Sequence, residues 1–138
     1  MRPAALILAL LLAACGAGSV FALEPGMCFD DPADLPAEIA EVELVACDEP
    51  HDNEVIAVVT MPDGPYPGAA RAEAFAEEAC LDAFEPYVGV AYEASPLVVS
   101  WLTPTAESWD RLGDREVVCI VFDASFEKLE GTVAGSGA

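Results

Sequence analysis

Four cysteines, Cys28, Cys47, Cys80 and Cys119, are spread through the chain behind a segment that reads as an export signal, and this combination restricts the fold more than any other feature. The leading segment has Arg2, an uninterrupted apolar run from Ala4 to Ala14, and then Cys15-Gly16. A charged start, a short hydrophobic stretch and small residues before a cut are what an export signal needs, and the run is too short to span a membrane as a helix. Leu12-Ala13-Ala14-Cys15 suits a lipid-transfer step and predicts a bacterial lipoprotein attached through Cys15. Val20-Phe21-Ala22 offers an ordinary signal peptidase a second cut, which would release a soluble secreted or periplasmic chain starting at Leu23. Both routes end outside the cytoplasm, where four cysteines in a short domain are most simply two disulfides.

Loss of the signal removes Arg2 and leaves Arg71, Arg111, Arg115 and Lys128 against 25 acidic residues, in a chain whose full-length formal charge is already −20. Nucleic acids and anionic lipid surfaces draw their binding energy from Lys and Arg, so nucleic-acid binding is excluded as a function class. A cationic partner would be attracted, while solubility, or adaptation of an exported protein to salty surroundings, accounts for the charge more simply. The expected organisation is a signal and short tether over residues 1–22, one domain over 23–134, and a flexible Gly/Ser tail over 135–138. A domain of this size buries a modest core and gains noticeably from cross-links.

Residues 42–47 and 55–60 are rich in β-branched side chains and read as two antiparallel strands separated by the acidic turn 48–54. After a Pro/Gly loop at 62–68, residues 69–84 carry Phe75, Ala79, Cys80 and Phe84 at helical spacing, which predicts one long helix with Cys80 facing inward. Residues 97–102 and 116–122 predict two further strands, with a helical turn at 104–111 between them. The expected fold class is α+β, a small antiparallel sheet packed against one long helix and stabilised by two disulfides.

Several short motifs stand at characteristic places along this frame: Gly26-Met27-Cys28-Phe29, Val45-Ala46-Cys47 with Pro50-His51-Asp52-Asn53-Glu54-Val55, Tyr66-Pro67-Gly68, Cys80, Tyr87-Val88-Gly89, Pro104-Thr105 with Trp109, and Gly113-Asp114-Arg115 with Cys119. In order and spacing they resemble the septum formation domain family of small secreted or membrane-anchored bacterial proteins. The resemblance implies an extracytoplasmic domain linked by name to division septa, with no established catalytic activity. Met27 stands where the family often has an acidic residue before its first cysteine.

Four cysteines allow three pairings. The pairing Cys28 with Cys47 and Cys80 with Cys119 is favoured, because the first joins neighbouring segments and the second pins the helix to a strand it should cover. Each bridge contributes about 3 kcal/mol by restricting the unfolded chain. A zinc–thiolate site is the rival use of these residues, but no Cys-x-x-Cys pair is present, and neither a metal nor a cofactor is expected.

His51 is the only histidine, and any reaction needing imidazole must pass through it. With Asp48, Glu49, Asp52 and Glu54 around it, His51 suits a tethered hydrogen-bond donor holding its turn better than a neutral base. No serine sits on a rigid glycine-flanked turn, since Ser19 and Ser136 lie in the expected tether and tail, and with so many acids a carboxylate pair has no discriminating power. The Asp30-Asp31 and Asp48-Glu49 pairs lack the ligand spacing of a calcium loop. Arg115 is expected to bridge to an acid on another segment beside Trp109, since Asp114 is too near in sequence. Pro50, His51, Glu54, Trp109, Asp114 and Arg115 are therefore the candidate ligand-binding or structural residues. The reading is a non-enzymatic binding or scaffolding domain, lipid-anchored outside a bacterial membrane, whose partner is an envelope protein or a cationic surface. The alternative is a small envelope enzyme or ligand-sensing module centred on His51 and nearby carboxylates.

Overall fold

The computed structural model describes residues 16–34 and 39–138, so Cys15 and the signal lie outside the described residues. Eight elements follow in chain order: β1 (Ala17–Ser19), β2 (Cys28–Asp30), β3 (Glu41–Val45), β4 (Asn53–Thr60), α1 (Ala69–Val88), β5 (Leu97–Leu102), α2 (Ala106–Leu112) and β6 (Glu116–Asp123). The strands form one six-stranded sheet in the order β1-β3-β2-β4-β6-β5, with every neighbouring pair antiparallel.

The α+β class stands, but the sheet is larger than expected and a second, short helix joins the long one. The additions have a common cause: β1 and β2 are three residues each, too short for an alternating pattern to register in sequence. The placement of β2 also corrects the expected hairpin. It lies between β3 and β4 and is antiparallel to both, so β3 and β4 run in the same direction and the segment 46–52 is a crossover. Main-chain pairing of Cys28 with Val45 on one side and Glu54 on the other holds β2 in that gap.

Two cores lie on the two faces of the sheet. Strand β6 divides its side chains between them, with Val117, Cys119 and Val121 facing α1, and Val118 and Ile120 facing the other way. A bulge between Val55 and Ala57 of β4 shifts the alternation, so Ile56 and Ala57 both serve the α1 side. Helix α1 seals its core with Ala72, Ala76, Cys80, Phe84 and Val88, all fully buried and four residues apart. It continues one turn beyond the expected end, through Pro86, and stops at Gly89 with φ 91°. The second core contains Val20, Leu23, Phe29 and Val42.

Both ends of the domain are therefore more structured than the sequence suggested. Residues 17–19, expected as part of a tether, form the edge strand β1, and Gly18 approaches β3 so closely that a Cβ would lie 2.7 Å from the Leu44 side chain. In the expected tail, the backbone N–H groups of Gly135 and Gly137 donate to the Tyr87 and Val88 carbonyls at the end of α1, at 2.8 and 2.9 Å. Leu129 and Val133 sink into the α1-side core.

Candidate functional site

The bridges join Cys28 to Cys47 and Cys80 to Cys119. The first ties β2 to the chain just after β3, and the second ties α1 to β6 across the main core. Cys80 and Cys119 are fully buried, whereas Cys47 is half-buried.

Beside the first bridge, the crossover and the start of β4 build a buried polar cluster. His51 forms an isolated antiparallel bridge with Leu129, donating its backbone N–H at 3.0 Å and accepting at 2.7 Å. Its ring is fully buried, and Nδ1 donates to the Glu49 carbonyl at 2.7 Å. Nε2 has no hydrogen-bond partner among the described residues. Glu54 is also fully buried, and its carboxylate accepts from Tyr87 Oη at 2.8 Å, Thr132 Oγ1 at 2.6 Å and the Val133 backbone N–H at 2.8 Å. Burial, reinforced by the Glu54 carboxylate, pushes the Tyr87 hydroxyl up to about 12. Pro50 is exposed and contributes only to the turn.

A charged layer covers this cluster. Lys128 Nζ lies 2.8 Å from both Asp30 and Asp52, the Asp52 backbone N–H donates to Asp30, and Asn53 donates to Asp31 at 2.8 Å. Burial pushes the Asp52 carboxyl up, but the Lys128 ammonium and the Asp31 backbone N–H outweigh it and hold the group below its ordinary value. Asp30 and then Asp52 push the Lys128 ammonium up in turn. The polar groups of the Pro50-to-Glu54 motif thus clasp the segment 128–133 to the body of the domain.

The second motif is a clasp of another kind. Thr105 and Ser108 form a capping box at the start of α2, and Gly113, at φ 67°, ends that helix. Asp114 accepts from Ser108 Oγ at 2.9 Å and from the Glu116 N–H at 3.1 Å. Arg115 stacks 3.7 Å from the Trp109 ring centroid, donates to the Trp109 carbonyl at 3.0 Å, and reaches Asp63 at 3.2 Å. Asp63 therefore supplies the acid from another segment. Trp109 is buried, donates Nε1–H to the Gly64 carbonyl at 2.9 Å, and meets the Tyr66 ring edge-on at 5.8 Å. These contacts lock α2 onto the loop before α1.

The candidate residues thus fall into two groups that do not converge. Glu54 pairs with Val121 at one end of the β4–β6 ladder and Thr60 with Glu116 at the other, so six residues, about 20 Å, separate the two clusters. Sequence reasoning missed Thr132 and Lys128, because nothing in an exposed-looking C-terminal segment marks it as a partner. Tyr87 stands in the Tyr87-Val88-Gly89 motif, but the sequence assigns its hydroxyl no partner. A third feature was also missed: a groove of about 600 Å³ beside the second cluster, lined by Val20, Phe21, Ile39, Leu102, Leu112 and the candidate residue Asp114, among others. Phe21 and Leu112 are 48% and 66% exposed, against the usual preference for burying large apolar side chains. A run of apolar residues beside the second cleavage motif was the available signal, and it was read as part of the export machinery.

Fold and clasps together define a small α+β domain braced by two disulfides and by buried polar contacts. The septum formation family model matches residues 17–119, and the chain belongs to that family. Membership associates the protein with the cell envelope or with division. No curated protein and no solved structure matched the chain. The family match begins with β1 and includes His51, Glu54, Tyr87 and Arg115, while Lys128, Thr132 and Val133 lie beyond it. No described helix is long and apolar enough to cross a membrane.

Proposed function

We propose that the protein is a non-enzymatic binding or scaffolding domain, held against the outer face of a bacterial membrane by lipid on Cys15. The observation that carries this reading is the position of the residues that follow Cys15. Ala17–Ser19 pair with β3, and Val20 is buried in the second core. A cut after Ala22 would remove an edge strand and a core side chain, whereas processing at Cys15 leaves both in place. The same segment carries Val20 and Phe21 into the apolar groove, five and six residues after the anchor, within about 20 Å of it even when extended. A partner seated in that groove would be held next to the membrane.

Burial of His51, and its absence from the lining of that groove, favour the binding reading over an envelope enzyme or sensor centred on the imidazole. The test is the intact mass of the protein extracted from membranes of its native host, before and after reduction. A diacyl or triacyl mass on Cys15 with a gain of four hydrogens on reduction is expected. A chain beginning at Leu23 without lipid would overturn the anchored reading.

A further inference from the structure

Cys28, His51 and Glu54 are all buried, and their potential ligand atoms lie within 4.8 Å of one another. Three features of this cluster go beyond what a clasp requires. The first is the imidazole: Nδ1–H is committed to the Glu49 carbonyl, which fixes the tautomer and leaves the Nε2 lone pair without a donor in a fully buried position. A histidine that ligates a metal is held in the same way, with its second ring nitrogen donating to a backbone carbonyl. The second is the carboxylate, oriented by Tyr87, Thr132 and the Val133 N–H as outer-shell donors orient a ligating acid. The third is the sulfur: Cys28 Sγ is the cluster's third donor atom and is tied up in the bridge to Cys47, so opening this bridge would leave a Cys28 thiolate beside the other two donors.

We propose that the Cys28–Cys47 bridge is a redox gate over a latent zinc site, whose three protein donors are the Cys28 thiolate, His51 Nε2 and the Glu54 carboxylate. In the bridged state the sulfurs are poor ligands and only two donors remain. An external dithiol opens the gate: its thiolate attacks the half-buried Cys47 sulfur, Cys28 leaves as a thiolate, and the second thiol of the donor resolves the mixed disulfide. The bridge gains two electrons and the donor is oxidised to its disulfide. Zinc then displaces the Cys28 thiol proton and takes one sulfur, one nitrogen and one oxygen from the protein, with water in the fourth tetrahedral position. Cys80 and Cys119, fully buried under α1, stay closed and keep the fold together.

The test treats the full mature protein with dithiothreitol, adds zinc, removes loosely bound metal with a weak chelator, and measures zinc per chain and alkylated thiols by mass. Two open thiols and one zinc per chain are expected after reduction, with no zinc on the bridged protein. Cobalt in place of zinc should give thiolate-to-metal absorption. His51→Gln should lower zinc affinity by roughly tenfold or more. Because that variant removes a buried side chain, the reduced wild type carries the decisive readout independently. Failure of the reduced wild type to retain zinc, opening of all four cysteines before zinc binds, or undiminished affinity in a folded His51→Gln protein would each overturn the proposal.

Discussion

The two motif clusters at opposite ends of the β4–β6 ladder hold chain segments in place by different physics. At the start of β4, Glu54 is wholly withdrawn from water, and its three accepted hydrogen bonds replace the lost hydration. At the start of β6, Arg115 lies over Trp109 at the rim, and its acid partner Asp63 is 92% exposed. A desolvated carboxylate is an all-or-none device, because deleting it leaves the buried Val133 N–H and the half-buried Tyr87 hydroxyl without their partner. A stacked cation and an exposed ion pair can be weakened in steps. The same family motif set therefore contains one clasp that should fail cooperatively and one that should loosen gradually.

Truncation separates them most strongly. Trp109→Ala should cost about 4 kcal/mol, since it empties a buried ring site and strands the Arg115 side chain. Glu54→Ala should cost about 3 kcal/mol by leaving Tyr87, Thr132 and Val133 with unpaired donors. Urea unfolding measures both. Location of the damage distinguishes them: limited proteolysis under native conditions should clip the segment 128–138 in Glu54→Ala and leave it protected in Trp109→Ala. Equal protection in the two variants would remove the idea that Glu54 is a latch for that segment.

Tyr87 sharpens the comparison through pH. Its hydroxyl is raised from the ordinary tyrosine value of 10.0 to about 12, first by burial and then by the neighbouring carboxylate. The folded state thus holds this proton more tightly than the unfolded state does. The associated stability is fully present below about pH 10 and disappears as the pH climbs toward 12. Tyr87→Phe should lower stability by about 1 kcal/mol at neutral pH and flatten the alkaline decline. In the parent protein, tyrosinate absorbance should show Tyr87 ionising near pH 12, and Tyr87→Phe should remove that step.

What was legible in the sequence follows from the range of the interactions involved. Strands β4, β5 and β6 and helix α1 announce themselves because β-branched runs and four-residue spacing are local, and the export context with four cysteines implied two bridges. Arg115 could be assigned an acid on another segment by charge arithmetic, although not Asp63 in particular. By contrast, β1 and β2 exist because long-range pairing with β3 and β4 holds them, and a three-residue strand has no period of its own. The partners of Glu54 are more distant still, with Thr132 and Val133 at separations of 78 and 79 residues. His51 and Glu54 were visible as a motif, but the partners that enclose them are Leu129, Thr132 and Val133, in a segment with no strand or helix period to place it.

The smallest effects probe how gradually the rim contacts loosen. Arg115→Lys keeps the charge near Asp63 but loses the planar stack over Trp109 and should cost about 1 kcal/mol, with the fold intact. Lys128→Met should cost about 0.5 kcal/mol, because its ammonium is 45% exposed and its two carboxylate contacts are partly solvated. That small loss has a pH signature. Asp52 is held below its ordinary value of 3.8 despite the burial that pushes it up, so the stability it contributes is present above pH 3.8 and is lost as the pH falls through the lower folded value. Removing Lys128 should therefore matter less in acid than at pH 7, and salt should shrink the difference at neutral pH. If thermal unfolding gave the same Lys128→Met deficit at pH 3 and pH 7, the contribution of Lys128 would lie in the packing of its stem against 129–133, and the charged layer would have to be counted with the cooperative clasp beneath it.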